Sequence, residues 1–119
     1  MSREFGTFIR ETREKMRKSK GNLFSMRSLA GRIGVEPSFL SKVERGIEAP
    51  PSEEKIVALA RELELDSDVL LALGGKLSSD LKETICKRPQ LFAQLIRELK
   101  AMPDDAVLRL VREVRDGDW

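Results

Sequence analysis

Apolar residues recur along the chain at intervals of three and four, the spacing that gathers them on one face of an α-helix. Phe5, Phe8, Ile9, Thr12 and Met16 predict a first helix over residues 5–17. The pattern then breaks at residues 18–23, Lys-Ser-Lys-Gly-Asn-Leu, which read as a basic surface loop. Ser25 is a helix cap, after which Met26, Leu29, Ala30 and Ile33 recur until Gly34 stops the run. Pro37 suits the first turn of a third helix, because its missing N–H is not needed there. Leu40, Val43 and Glu44 share one side of that helix, and Gly46 ends it.

Ala49-Pro50-Pro51 enforces an extended break. Ser52, Glu53 and Glu54 open a fourth helix with Ile56, Leu59, Ala60 and Leu63 on its apolar face, the acidic first turn favouring the positive helix end. A fifth, capped by Asp66 or Ser67, carries Val69, Leu70 and Leu73 and stops at Gly74-Gly75, the expected domain boundary. Three more follow: one from Ser78 or Ser79 to Lys87, one from Pro89 to Met102, and one from Pro103 to about Arg115. Their stripes are Leu81 and Ile85; Leu91, Leu95, Ile96 and Leu99; and Val107, Leu110, Val111 and Val114. Only the last few residues are expected to fray. The reading is all-α, with a domain over residues 1–75 and a helical arm over residues 76–119.

Composition agrees: aromatic content is 5%, with no Tyr, whereas β-rich folds draw heavily on aromatic and β-branched residues. The length of 119 residues allows one compact domain with an appendage and no large catalytic partner. With no His and one Cys the chain lacks the usual general base, the set for a Cys-rich zinc site and an intrachain disulfide. No metal, cofactor or enzymatic activity is expected. The opening Met-Ser-Arg-Glu-Phe-Gly lacks a signal peptide's apolar run, and the longest apolar runs, such as residues 69–73, fall far short of a membrane helix. A cytoplasmic location without membrane contact is expected.

The net charge of +2 conceals an asymmetry. Residues 1–50 hold 11 Lys/Arg against 6 Asp/Glu, while residues 51–119 hold 11 against 14. A basic half suggests a polyanion as partner, though charge needs a motif beside it.

Residues 25–46 supply one. Ala30 is small where two steeply crossing helices meet, and Gly34, four residues later, suits the positive φ of a tight turn. Leu29, Ile33, Val35, Leu40 and Val43 form an inner wedge, which leaves Pro37, Ser38, Ser41, Lys42 and Arg45 outward. An outward row of small and basic residues can enter a major groove. Here the chain resembles the phage repressor and Cro-like helix-turn-helix family, often called the Xre family. The likeness extends over residues 5–73 and is most specific in residues 34–46, Gly-Val-Glu-Pro-Ser-Phe-Leu-Ser-Lys-Val-Glu-Arg-Gly, with Pro51 after them.

The resemblance implies a five-helix domain whose third helix reads double-stranded DNA, generally as a homodimer on a two-fold operator. Carried onto this chain it makes Ser25, Arg27, Pro37, Ser38, Phe39, Ser41, Lys42 and Arg45 DNA-binding candidates, and Arg13 and Glu44 a structural pair. Arg17, Lys18 and Lys20 join the candidates from their own charge, since each neutralised phosphate adds salt-dependent affinity. The chain departs from the family at residues 18–23, an insertion, at Met26 in place of a phosphate-binding glutamine, and at Glu36 in place of a Ser or Thr cap. Phe39 is expected to pack rather than meet a thymine methyl, and Cys86 to pack beside Ile85 rather than act as a redox switch. Asp104-Asp105 and Asp116-Gly117-Asp118 read as a helix start and a tail, not as a metal-dependent nuclease site. A repressor is favoured over an antitoxin or adaptor whose acidic C-terminal helices would hold a protein partner.

Overall fold

The computed structural model describes residues 2–119. Among the described residues eight α-helices form, in order α1 (Ser2–Lys20), α2 (Met26–Ile33), α3 (Pro37–Glu44), α4 (Glu53–Glu62), α5 (Ser67–Leu73), α6 (Ser79–Lys87), α7 (Pro89–Leu99) and α8 (Asp104–Asp116). A 3-10 turn, Gly21–Phe24, lies between α1 and α2. No strand occurs among the described residues, and none of their helices is long and apolar enough to cross a membrane.

Residues 18–20 are not a loop: α1 runs on to Lys20 and leads into the 3-10 turn. Lys is a strong helix former, and the cations Arg17, Lys18 and Lys20 in the last turn offset the negative helix end. Gly21, at φ 72°, stops the helix. The segment is held from below by buried Phe24, whose ring faces the Arg32 guanidinium at 5.0 Å and the Lys20 ammonium at 6.0 Å. Leu23, the last residue of the expected loop, is exposed.

Two compact units result, one ending at Ser78 and the other spanning Ser79–Trp119. In the first, Phe5, Ile9, Phe24, Leu29, Ala30, Ile33, Leu40, Val43, Ile56, Leu59, Ala60, Leu63, Leu70 and Leu71 close a single core. Two expected core positions differ. The inner face of α1 is Phe5, Ile9, Arg13 and part of Met16, so Phe8 turns to solvent and accepts the Thr12 hydroxyl at its carbonyl (2.8 Å). On α5, Leu70 and Leu71 are buried while Val69 is 60% exposed. Gly74 and Gly75 end α5, yet the chain stays with this unit: Lys76 donates from its backbone to Leu71 O (2.9 Å) and from Nζ to Pro51 O (2.7 Å).

The second unit is built differently. Ser78 precedes α6, Pro89 occupies the first turn of α7, and Asp104 and Asp105 lie in the first turn of α8. None of its three helices buries a residue. Leu95 and Leu99 of α7 line an open groove of about 400 Å³ with Val107, Leu110, Val111 and Val114 of α8. Cys86 is exposed rather than packed, on a helix that buries no residue. At the end of the chain α8 includes Asp116, and Trp119 donates from Nε1 to Val114 O (2.9 Å).

Candidate nucleic-acid interface

The helix-turn-helix is set by local chemistry at each junction. Ser25 Oγ accepts Ser28 N–H (3.2 Å), satisfying one of the free donors at the start of α2. At the other end Gly34, at φ 76°, closes the helix with two backbone bonds, Val35 N to Ala30 O (3.0 Å) and Gly34 N to Gly31 O (3.3 Å). A Cβ at this position would be strained by the positive φ, so the turn is fixed by conformation, while the mobile Lys55 Nζ, 2.9 Å from where a Cβ would sit, could swing aside. Pro37 then starts α3, and the side chain of Glu36 makes no capping bond. The end of α3 repeats the earlier device at Gly46, with Ile47 N bonded to Lys42 O (2.9 Å).

Along α3 the two faces separate cleanly. Leu40, Val43 and Glu44 are buried, whereas Ser38, Lys42 and Arg45 are exposed. Pro37, Phe39 and Ser41 are half-buried, and Phe39 packs against the core. Arg45 Nε lies 3.4 Å from Ser41 O, which lays its side chain back along the helix. Arg27, near the start of α2, is exposed, as are Arg17 and Lys18 at the end of α1. None of Arg17, Lys18, Arg27 and Lys42 forms an ion pair among the described residues. Lys20 differs, since its ammonium lies 3.5 Å from Glu64 and over Phe24.

Arg13 and Glu44 meet inside the domain. Arg13 donates from Nε to Glu44 Oε2 (2.7 Å), from Nη2 to Oε1 (3.0 Å) and from Nη1 to Phe24 O (3.2 Å). The hydrogen bond to Glu44 is the largest influence on Arg13 and holds its pKa above the ordinary arginine value, against the opposing effect of burial. The fork therefore ties α1 to the last residue of α3 and to the 3-10 turn. A buried charge pair is sound only when both partners are hydrogen-bonded, as here.

Three supports of this surface escaped sequence reasoning. Arg32 pairs with Glu62 (2.7 Å) beneath the Phe24 ring, joining α2 to α4. Lys55 of α4 reaches the turn at Gly34. Gly6, buried in the N-terminal part of α1, sits where α1 crosses the end of α3. Only Gly6 left a signal, a glycine inside a helical run between Phe5 and Ile9, where it is costly unless something must come close.

Residues 9–70 match the helix-turn-helix family HTH_3. The chain is also 39% identical over 70 residues to two Mycobacterium tuberculosis proteins, one from strain CDC 1551 / Oshkosh and one from strain ATCC 25618 / H37Rv, each named an uncharacterized HTH-type transcriptional regulator. The aligned region is 59% of this chain and 45% of each relative, so the chain spans under half of their length. No solved structure gives a significant match. With the matched region covering α2, the glycine turn and α3, the chain belongs to the helix-turn-helix family HTH_3.

Proposed function

We propose that the protein is a repressor that binds a two-fold operator as a homodimer, with α3 in the major groove and the Ser79–Trp119 arm joining the copies. The division of α3 into a buried face and an exposed face bearing Ser38, Lys42 and Arg45 is the observation that carries this reading. Ser38 and Ser41 suit several base edges, and Lys42 suits guanine or a phosphate. Ser25, Arg27, Pro37 and Arg45 flank that row, and Phe39 buttresses it from the core side. Arg17 and Lys18, freed of internal partners, serve phosphates beyond the helix-turn-helix. Lys20 contributes less, because Glu64 already neutralises it.

Charge favours a second copy as the arm's partner. Residues 79–119 hold eight Lys/Arg and eight Asp/Glu, so two arms meet without net repulsion. The acidic excess of the chain's second half lies instead in residues 51–78, within the DNA-binding unit, with six Asp/Glu against three Lys/Arg. This removes the acidic arm on which the adaptor reading depended.

The test is selection of sites from a random duplex pool with the full chain, followed by affinity measurements on variants. Two-fold sites are expected. Replacing Ser38 and Ser41 by Ala relaxes sequence preference, and Lys42→Ala costs about 1 to 3 kcal/mol if it reads a base. Unchanged selectivity in all of these variants overturns the assignment of α3.

A further inference from the structure

α1 and α3 meet at closer range than side chains permit. A Cβ built on Gly6 would stand 2.6 Å from Glu44 O and 2.9 Å from Glu44 C, and closer still to Val43 O. All three atoms are backbone of the last turn of α3, so no rotamer change relieves the overlap. One turn earlier in α1, Arg3 Cα lies 3.1 Å from where a Cβ on Gly46 would sit, which brings α1 against the turn that follows α3. Two turns after Gly6, Arg13 grips the Glu44 carboxylate through two hydrogen bonds. α1 thus touches the end of α3 at backbone distance and is pulled onto it by a buried ion pair.

We infer that Gly6 is a positioning residue for DNA reading: the backbone contact it permits between α1 and the last turn of α3 sets the pose in which Ser38, Ser41 and Lys42 meet a duplex. The inference rests on α3 being the recognition helix. Gly6 itself touches no DNA. A methyl group there separates the helices by about an ångström before contact distances are normal, and packed interiors pass such displacements on rather than absorb them. Base-edge hydrogen bonds tolerate little misplacement, whereas attraction between exposed cations and phosphates falls off slowly with distance. Sequence-specific binding therefore suffers more than non-specific binding.

The experiment uses the full chain with Gly6→Ala, and Ile56→Val as a control that loosens the core without adding volume between α1 and α3. Both are titrated against a duplex that wild type selects from a random pool and against an unrelated duplex of equal length, below each variant's unfolding temperature by circular dichroism. Gly6→Ala is expected to lose about tenfold or more in affinity for the selected duplex and to bind the unrelated one within about twofold of wild type. Ile56→Val is expected to keep the wild-type ratio. If Gly6→Ala does not fold alone, the same ratio is read in a Glu64→Gly background, which relieves a left-handed glutamate elsewhere in the domain. A wild-type ratio in folded Gly6→Ala overturns the inference and leaves the role of α3 standing. Failure of wild type to select any sequence overturns the role of α3 itself.

Discussion

The two units carry equally regular apolar stripes and differ in what covers them. Below Ser79 the stripes of five helices meet in one core, in which Leu59, Leu70 and Leu71 retain no exposure. In Ser79–Trp119, Leu91, Leu95, Ile96, Leu108, Val111 and Val114 are each at least 44% exposed. Periodicity alone does not tell these cases apart, because a stripe records only that a face will be covered. A unit of this size seldom stands on its own core, and this one buries none of its side chains. The contrast places the buried core in the first unit and leaves the second with apolar faces that its own helices do not cover.

The largest effect that sharpens the contrast comes from the buried ion pair. Arg13→Ala leaves Glu44 buried without its partner and is expected to cost roughly 3 to 5 kcal/mol, whereas Arg17→Ala, at an exposed site, stays within about 0.5 kcal/mol. Thermal unfolding monitored by circular dichroism separates the two. Equal small shifts would mean that the pair contributes nothing to the domain.

Next are matched leucine truncations. Leu59→Ala is expected to destabilise the first unit by about 2 to 5 kcal/mol at any protein concentration. Leu95→Ala is expected to leave that transition in place and to weaken self-association instead, so its effect grows on dilution. Chemical denaturation at two concentrations distinguishes them. A concentration-independent loss for Leu95→Ala would indicate that the arm folds as a monomer.

Two helical glycines give a pair of opposite sign. A Cβ on Gly31 meets nothing within 4 Å, so Gly31→Ala is expected to stabilise by about 0.5 to 1 kcal/mol. Gly6→Ala is expected to destabilise, since its Cβ meets backbone. Glu64 holds φ at 58°, a left-handed conformation that suits glycine, and its ion pair with Lys20 is exposed. Glu64→Gly is therefore expected to gain at most about 1 kcal/mol in the same unfolding assay. A loss there would mean that the Lys20 contact outweighs the backbone strain.

These residues also mark where sequence was informative. Gly34, Pro37 and Gly46 were legible as boundaries because each acts through its own backbone, in a left-handed cap or a first turn without an N–H. Leu40, Val43 and Glu44 were legible because their spacing fixes one face of a short helix. Residues 18–20 were misread as loop because their polarity outweighed the helix preference of Lys, and the Phe24 ring over which the Lys20 ammonium lies is a tertiary feature. Phe8 and Thr12 fit the α1 stripe on spacing alone. Arg13 displaced them because a fully hydrogen-bonded arginine can occupy an inward position. Cys86 was placed in a packed environment that α6 does not have.

Light scattering on the full chain and on a chain ending at Ser78, each paired with titration of a selected operator, tests the division of labour most directly. The full chain is expected to be a dimer at micromolar concentration. The shortened chain is expected to be a folded monomer that binds the operator weakly and without cooperativity, because nothing then holds two α3 helices about 34 Å apart. A shortened chain that remains dimeric with its affinity intact would contradict this, place the dimer contact within the helix-turn-helix unit, and leave the apolar arm to a different protein.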